Sequence, residues 1–238
     1  MRRRFFVDAF DANRVVLTGE AAHHLGRVLR AEPGQLYELS DGSSVWLGKI
    51  ERAGKERVEF SLVEPVPVQT SSLDKTLLIA VVKFDAFEWA LEKATELGVN
   101  RVVPLAASRS EKGLVAAARK RMERWKKIVF EASQQSRRVN LPMIDDIVNP
   151  ASAFGGVSAA IKVILSERTE APPLRTVLEG QQSTAIALAV GPEGGWAEEE
   201  FKFARQAGFA EASLGSLILR TETAVTACLA AVNYALQR

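Results

Sequence analysis

The stretch Val190-Gly191-Pro192-Glu193-Gly194-Gly195-Trp196 decides how this chain folds. An apolar run over 184–190 leads into it. A helical pattern over 197–207, stopped by Gly208, leads out of it. A run with no polar alternation suits a strand buried on both faces, and glycines placed after it let the backbone adopt dihedrals closed to other residues. The same rhythm extends in both directions. Upstream, 76–82, 101–105 and 161–165 are short apolar runs that read as strands. Asp85 and Glu88 form a D-x-x-E pattern opening a helix that carries Phe87, Leu91, Ala94 and Leu97 at helical spacing and ends near Gly98. Residues 114–136 read as one long or broken helix. Downstream, 212–214 is a short strand and 223–236 a final apolar helix. Strands alternating with helices imply an α/β domain with a mostly parallel sheet covered on both faces.

Residues 1–70 follow a different rhythm. Short β-type runs lie at 5–7, 14–17, 35–40, 45–50 and 58–63, with Asp41-Gly42 as a hairpin signal and one helical stretch at 20–30. Many strands with little helix suggest a small β-barrel or sandwich. The proline-bearing, polar segment 64–72 reads as a linker. The expected domains are therefore 1–70 and 71–238.

The chain has 238 residues, with 47% apolar and 25% charged, which excludes wholesale disorder. No apolar run is long enough to span a membrane, and Asp8 and Asp11 interrupt the basic start before a signal-peptide core forms, so a cytoplasmic location is expected. A single cysteine, Cys228, offers no internal disulfide. With only 2 His, no metal site is expected. The 31 basic and 29 acidic residues give a net charge of +2, but the charge is not evenly spread. Between Arg109 and Arg138 ten basic residues face three acids, leaving +7 on this segment and −5 on the rest. Such a cluster is either a solvated helix face or the footprint of a polyanion. A second basic set comprises Arg2, Arg3, Arg4, His23, His24, Arg27 and Arg30. On a helix, His23, Arg27 and Arg30 would share a face.

The glycine loop is neither G-x-G-x-x-G nor a P-loop, and its one charge is the anion Glu193, so a phosphate fits poorly and a neutral or cationic ligand fits better. In open α/β sheets ligands sit at the carboxyl ends of strands, where this loop lies. A second loop, Leu214-Gly215-Ser216-Leu217-Ile218-Leu219-Arg220-Thr221-Glu222-Thr223, places a polar cluster before the last helix. Thr221 suits a helix N-cap and Glu222 the positive helix end. Arg220 is left over, and its guanidinium suits a phosphate or a base carbonyl.

Six stretches occur together in order: 3–7 (R-R-F-F-V), 23–30 (H-H-L-G-R-V-L-R), 93–99 (K-A-T-E-L-G-V), 124–137 (R-W-K-K-I-V-F-E-A-S-Q-Q-S-R), 191–196 (G-P-E-G-G-W) and 218–224 (I-L-R-T-E-T-A). With them the chain resembles the ribosomal small subunit methyltransferase E family, bacterial 16S ribosomal RNA uridine N3-methyltransferases of the SPOUT superfamily. The resemblance implies a SPOUT-type sheet whose C-terminal segment forms a deep trefoil knot, preceded by a PUA-like β-barrel that binds RNA. It implies S-adenosyl-L-methionine held largely by backbone, here by Leu165, Ser166, Val190, Gly191, Glu193, Gly194, Gly195, Leu214, Gly215, Ile218, Leu219 and Thr223. It further implies a homodimer and a 16S ribosomal RNA substrate, within the small ribosomal subunit. Arg3, Arg4, His23, His24, Arg27, Arg30, Arg109, Arg137 and Arg138 are the expected RNA contacts. The chain departs from the family pattern in having Leu217 where Arg is frequent, Ala107-Ser108-Arg109-Ser110 for S-E-R-S, and Arg137-Arg138 for Gly-Arg.

Uridine N3 is a poor nucleophile until its proton leaves, so a base or an anion-stabilising group is needed. Arg220 is the candidate for the electrostatic role and Glu222 for the base. Two other enzyme chemistries remain open at this point: methylation of a ribose 2′-hydroxyl, and hydride transfer from a nicotinamide, against which the missing G-x-G-x-x-G speaks. A non-catalytic RNA-binding assembly factor is the third alternative.

Overall fold

The computed structural model describes residues 3–11, 13–68 and 72–236. The chain divides into two compact units, Met1–Thr70 with Ser133–Leu141, and Ser71–Ala132 with Pro142–Arg238. The boundary expected between 70 and 71 lies outside the described residues, as does Arg2.

The first unit is a five-stranded sheet of β1 (Arg4–Phe6), β2 (Arg14–Thr18), β3 (Leu36–Ser40), β4 (Val45–Ala53) and β5 (Arg57–Pro65), in the order β1-β3-β4-β5-β2. Only β1 and β3 are parallel. Among the described residues the two edges, β1 and β2, do not pair. The core is Phe5, Val15, Leu17, Leu25, Leu39, Ile50, Val58 and Phe60. Strand β2 alternates exposed and buried residues, as one covered face requires. At the β3–β4 hairpin, Oδ1 of Asp41 accepts from the backbone N–H of Ser43 and of Ser44 at 2.9 and 2.8 Å, and Gly42 takes φ +90°. Strand β5 continues through Pro65, and Val66 N–H still donates to Val45 O, so the linker starts later than expected. The helix expected over 20–30 is α1 (Gly19–His23) followed by a π turn, His24–Val28. Gly26 lies in that turn against Gly54, where a Cβ would meet the carbonyl oxygen at 2.5 Å. Arg30 falls outside the helix at φ +49°, so it does not share the face of His23 and Arg27.

Residues 133–141 join this unit through a buried carboxylate and two hydrogen bonds to their own backbone carbonyls. Glu38 on β3 is buried. Its Oε2 accepts from Arg4 Nε and Nη2 at 3.1 and 2.8 Å and from Arg137 Nε at 3.2 Å, and its Oε1 pairs with Arg137 Nη2. Arg4 Nη1 also donates to Arg137 O, and Ser40 Oγ donates to Val139 O at 2.6 Å. Arg137 takes φ +57°, the left-handed region that glycine enters more easily, which costs on the order of 1 kcal/mol.

The second unit is a six-stranded, all-parallel sheet. Its strands are β6 (Asp74–Ala80), β7 (Arg101–Leu105), β8 (Met143–Ile144), β9 (Ile161–Leu165), β10 (Ala185–Val190) and β11 (Ala210–Ala212), in the order β11-β9-β10-β6-β7-β8. The helices are α2 (Phe84–Glu96), α3 (Lys112–Ala118), α4 (Met122–Gln135), α5 (Pro150–Gly156), α6 (Leu174–Leu178), α7 (Glu198–Gln206) and α8 (Thr221–Leu236). Strand β6 shows why the apolar runs lack alternation. Leu77 and Ile79 face one core with Trp125, Leu188 and Leu229, whereas Leu78 and Ala80 face another with Phe154, Ala187 and Phe209. Buried Lys75 donates to Asn233 Oδ1 at 2.7 Å, and Asn233 Nδ2 donates to Leu97 O at 3.0 Å, tying α8 to β6 and the end of α2.

Several local expectations are corrected here. Helix α2 begins at Phe84 with Lys83 at the N-cap, and Asp85 caps nothing. Glu88 instead accepts from Arg124 at 2.7 Å and Arg121 at 3.4 Å, because a buried carboxylate is held by cations rather than by its own helix end. The 114–136 helix is broken at a 3-10 turn, Arg119–Arg121. The short helices α5 and α6 were not legible, β11 starts two residues earlier than expected, and α8 starts at Thr221.

Candidate functional site

A cavity of about 230 Å³ opens at the carboxyl ends of β9, β10 and β11. Three loops line it: residues 165–168 after β9, 190–196 after β10 and 214–219 after β11. Arg109, Glu198, Phe201, Thr221 and Ala224 complete the wall. Several side chains around the cavity are occupied in holding neighbouring backbone. Trp196 is buried and its Nε1 donates to Leu165 O at 3.0 Å, joining the second loop to the first. Thr221 Oγ1 donates to Gly191 O at 3.0 Å, joining the start of α8 to the second loop. Arg109 Nη1 donates to Gly194 O at 2.7 Å. Gly195 N–H closes a turn on Pro192 O at 2.8 Å with φ +68° at Gly195, and a side chain at Gly191 would begin 3.0 Å from the Trp196 ring. These glycines are required by close packing as well as by dihedral.

Both cations of the lining are engaged. Arg109 holds Gly194, while Arg168 pairs with Glu198 and stacks at 3.8 Å on the Phe201 ring. The hydrogen bond that Arg168 donates to Glu198 is the first cause of the raised Arg168 pKa, so the cation stays protonated. Glu167, Glu193 and Glu198 add carboxylates to the wall. With three carboxylates against two engaged arginines the wall carries a slight negative excess, which suits a ligand that is cationic and carries no phosphate. Among the described residues no group of three metal-ligating side chains comes together. Burial pushes the Cys228 thiol up to about 12, which removes it as a nucleophile.

Of the residues expected at the cofactor, Leu165, Ser166, Val190, Gly191, Glu193, Gly195, Leu214, Gly215, Ile218 and Leu219 line the cavity. Gly194 contributes through its carbonyl bond to Arg109. Thr223 is exposed on the first turn of α8 and does not line it. Thr221 is the first residue of α8 rather than its cap, since its hydroxyl is turned to Gly191. Arg220 is exposed and Glu222 half-buried. Each flanks a lining residue without lining the cavity itself.

The residues expected at RNA are distributed between the units. In the first, Arg3 bonds His24 at 3.1 Å and Arg27 bonds His23 at 3.3 Å, each Arg donating to Nε2. Arg4 is buried on Glu38, and Arg137 shares that carboxylate. Arg138 donates to Asn140 O, and burial lowers its pKa to about 10, which leaves it charged at neutral pH. Arg109 belongs to the second unit, at the cavity. Sequence reasoning missed Trp196, Arg168, Phe201 and Glu200 as site residues. Trp196, which closes the G-P-E-G-G-W stretch, and Glu200, three residues after Ala197 at the start of α7, had local signals.

Comparison with known proteins identifies the family. Residues 69–233 match the family model described as an RNA methyltransferase domain, and residues 17–63 match an RNA methyltransferase PUA domain. A ribosomal RNA small subunit methyltransferase E from Synechocystis is 34% identical over 94% of this chain and 74% of its own length. One from Mycobacterium tuberculosis is 31% identical over 96% and 90%. Among solved structures, a ribosomal RNA small subunit methyltransferase E from Neisseria gonorrhoeae bound to S-adenosyl methionine superposes with a TM-score of 0.90, 31% identity, and coverage of 100% and 99%. A putative methyltransferase from Legionella pneumophila, in complex with the same cofactor, gives 0.88 and 29% with the same coverage. With a cavity lined by three strand-end loops and a PUA domain preceding it, the chain belongs to the RNA methyltransferase family whose curated relatives are ribosomal RNA small subunit methyltransferases E.

Proposed function

We propose that the chain methylates N3 of a uridine in 16S ribosomal RNA, with S-adenosyl-L-methionine as methyl donor. The observation that carries this is the cavity itself: backbone from three strand-end loops, carboxylates in the wall and both cations engaged. That lining fits a cationic sulfonium without phosphate and fits a dinucleotide poorly. The relatives from Neisseria and Legionella carry this cofactor in their solved structures.

When bound, the cofactor supplies an activated methyl on sulfur. The protein's part is to position, to exclude water and to handle a proton. Leu165, the 191–195 turn and the 214–219 loop hold the cofactor through backbone groups. Arg220 stands between the cavity loop and α8, where its guanidinium stabilises negative charge spreading onto uridine O2 and O4. Glu222, two residues on, takes the N3 proton. The PUA domain, the Arg3–His24 and Arg27–His23 pairs, and Arg138 grip the flanking RNA backbone.

The trefoil-knot topology of the family is supported by strand order. The chain runs β9, then β10, then back past β9 to β11, and α8 returns to pack on α2 while Thr221 is bonded to the second loop. A homodimer is supported by the exposed apolar side chains Leu217 (80%), Ile218 (78%) and Tyr234 (94%). The first two line the cavity, so a partner covering them closes the cofactor site. Among the described residues no helix is long and apolar enough to cross a membrane, in keeping with work on ribosomal RNA in the cytoplasm.

The test is transfer of radiolabelled methyl to small-subunit RNA followed by mass spectrometry of the nucleosides. N3-methyluridine is expected. A 2′-O-methyl nucleoside would move the acceptor, and no transfer despite RNA binding would make the chain an assembly factor. Glu222→Gln should lose activity at neutral pH and regain it at high pH, where the uridine ionises unaided. An unchanged pH profile leaves Glu222 as a helix-end charge only.

A further inference from the structure

We propose that Glu200 is a positioning residue for the cofactor, acting through Arg109 on the glycine loop; this rests on the S-adenosylmethionine reading above. Glu200 is 3% exposed and does not line the cavity. Its two oxygens serve two different segments. Oε2 accepts from Ala197 N–H at 2.7 Å, at the start of its own helix, and Oε1 accepts from Ser108 N–H at 2.8 Å, 92 residues away in sequence. A glutamate that only capped α7 would need the first bond alone.

The second bond fixes the loop after β7 just where it reaches the site. Ser108 precedes Arg109, whose Nη1 holds Gly194 O and whose Cβ lies 3.3 Å from where a side chain at Gly194 would begin. The first bond fixes Ala197, which follows Trp196, and the Trp196 indole holds Leu165 O and packs on Gly191. One buried carboxylate therefore holds the end of the 191–196 turn at Ala197 and, through Ser108 and Arg109, its middle at Gly194, and that turn supplies cofactor-facing backbone. In Glu200→Gln the amide nitrogen cannot accept a hydrogen bond. Whichever way the amide turns, Ser108 or Ala197 loses its partner.

The test is calorimetric titration of S-adenosylmethionine into the full chain as wild type, E200Q, R109A and the double variant, with a melting curve of each taken without cofactor. The Kd of E200Q should rise about tenfold or more, R109A should show a similar loss, and the double variant should lose less than the product of the two, because the Ser108 bond and Arg109 act in one chain of contacts. In steady state the loss should fall on KM for the cofactor, with kcat at saturation within about threefold of wild type. Wild-type Kd in E200Q overturns the proposal, whatever its melting curve, and so do losses that multiply in the double variant. Should E200Q not fold, Arg109→Lys decides. Lysine can still donate to Gly194 O and should recover affinity over R109A, and equal loss in both overturns the proposal. A wild-type chain that does not bind S-adenosylmethionine overturns the cofactor reading and this proposal together, an outcome distinct from failure in the variants alone.

Discussion

In the first unit a buried carboxylate, Glu38, gathers two arginines, so that Arg4 and Arg137, two of the cations expected at RNA, hold 133–141 to β3 instead. In the second unit the traffic runs the other way. The side chains of Arg109, Trp196 and Thr221 hold carbonyls so that backbone is free to meet a ligand. The contrast teaches that the charge of a residue and its place in a functional segment do not say whether its donors are free. Both regions depend on hydrogen bonds between partners distant in sequence. One yields a clasp and the other a cavity.

The largest effect that would sharpen this contrast is expected from Glu38→Ala. It leaves Arg4 buried without a counter-charge, which should cost about 3–5 kcal/mol in denaturant unfolding of the first unit. Cofactor affinity measured by calorimetry should stay near wild type, and a parallel fall would break the separation of the two regions. Next, Arg220→Ala should lower the methyl-transfer rate about 10²-fold or more while cofactor binding survives. Full activity would remove Arg220 from the chemistry. Trp196→Phe keeps the ring and removes the donor to Leu165 O. Stability should fall by about 1–3 kcal/mol and cofactor Kd should rise, with no change in the RNA-binding strength of the first unit in filter binding.

The smallest effect concerns Asp41. Burial alone would raise its pKa, but the N–H groups of Ser44 and Ser43, with their hydroxyls, outweigh that and hold the carboxyl below its ordinary value. Because the folded-state pKa is lowered, the carboxylate stabilises the hairpin at neutral pH, and that contribution is lost as pH falls through the ordinary and then the folded value. Melting curves of wild type and Asp41→Asn should differ slightly at neutral pH and converge once the pH lies below the folded value. A difference that persists in acid would show that charge is not the cause.

Much of the fold was legible. Strand β9 spans the residues its apolar run predicts, the glycine loop sits between β10 and α7, and ten of the twelve residues expected at the cofactor line the cavity. Sequence carried these because strand and helix periods and glycine turns are short-range, and because the six matching stretches name a family. It did not carry α5 and α6, which are too short for a period to emerge. It misassigned Asp85 and Thr221 as caps, since both occupy cap-like positions without making cap bonds.

By itself, the sequence determined two rhythms, a parallel α/β unit after a β-rich one, and the loops that would form a site. Only the tertiary structure decided which polar groups are free. Arg4 and Arg137 are joined through Glu38, and Arg137 and Glu38 lie 99 residues apart. Glu200 meets Ser108 across 92. Such partners are chosen by packing, because a buried charge must find its counterpart wherever the fold places it, and no local pattern records that choice.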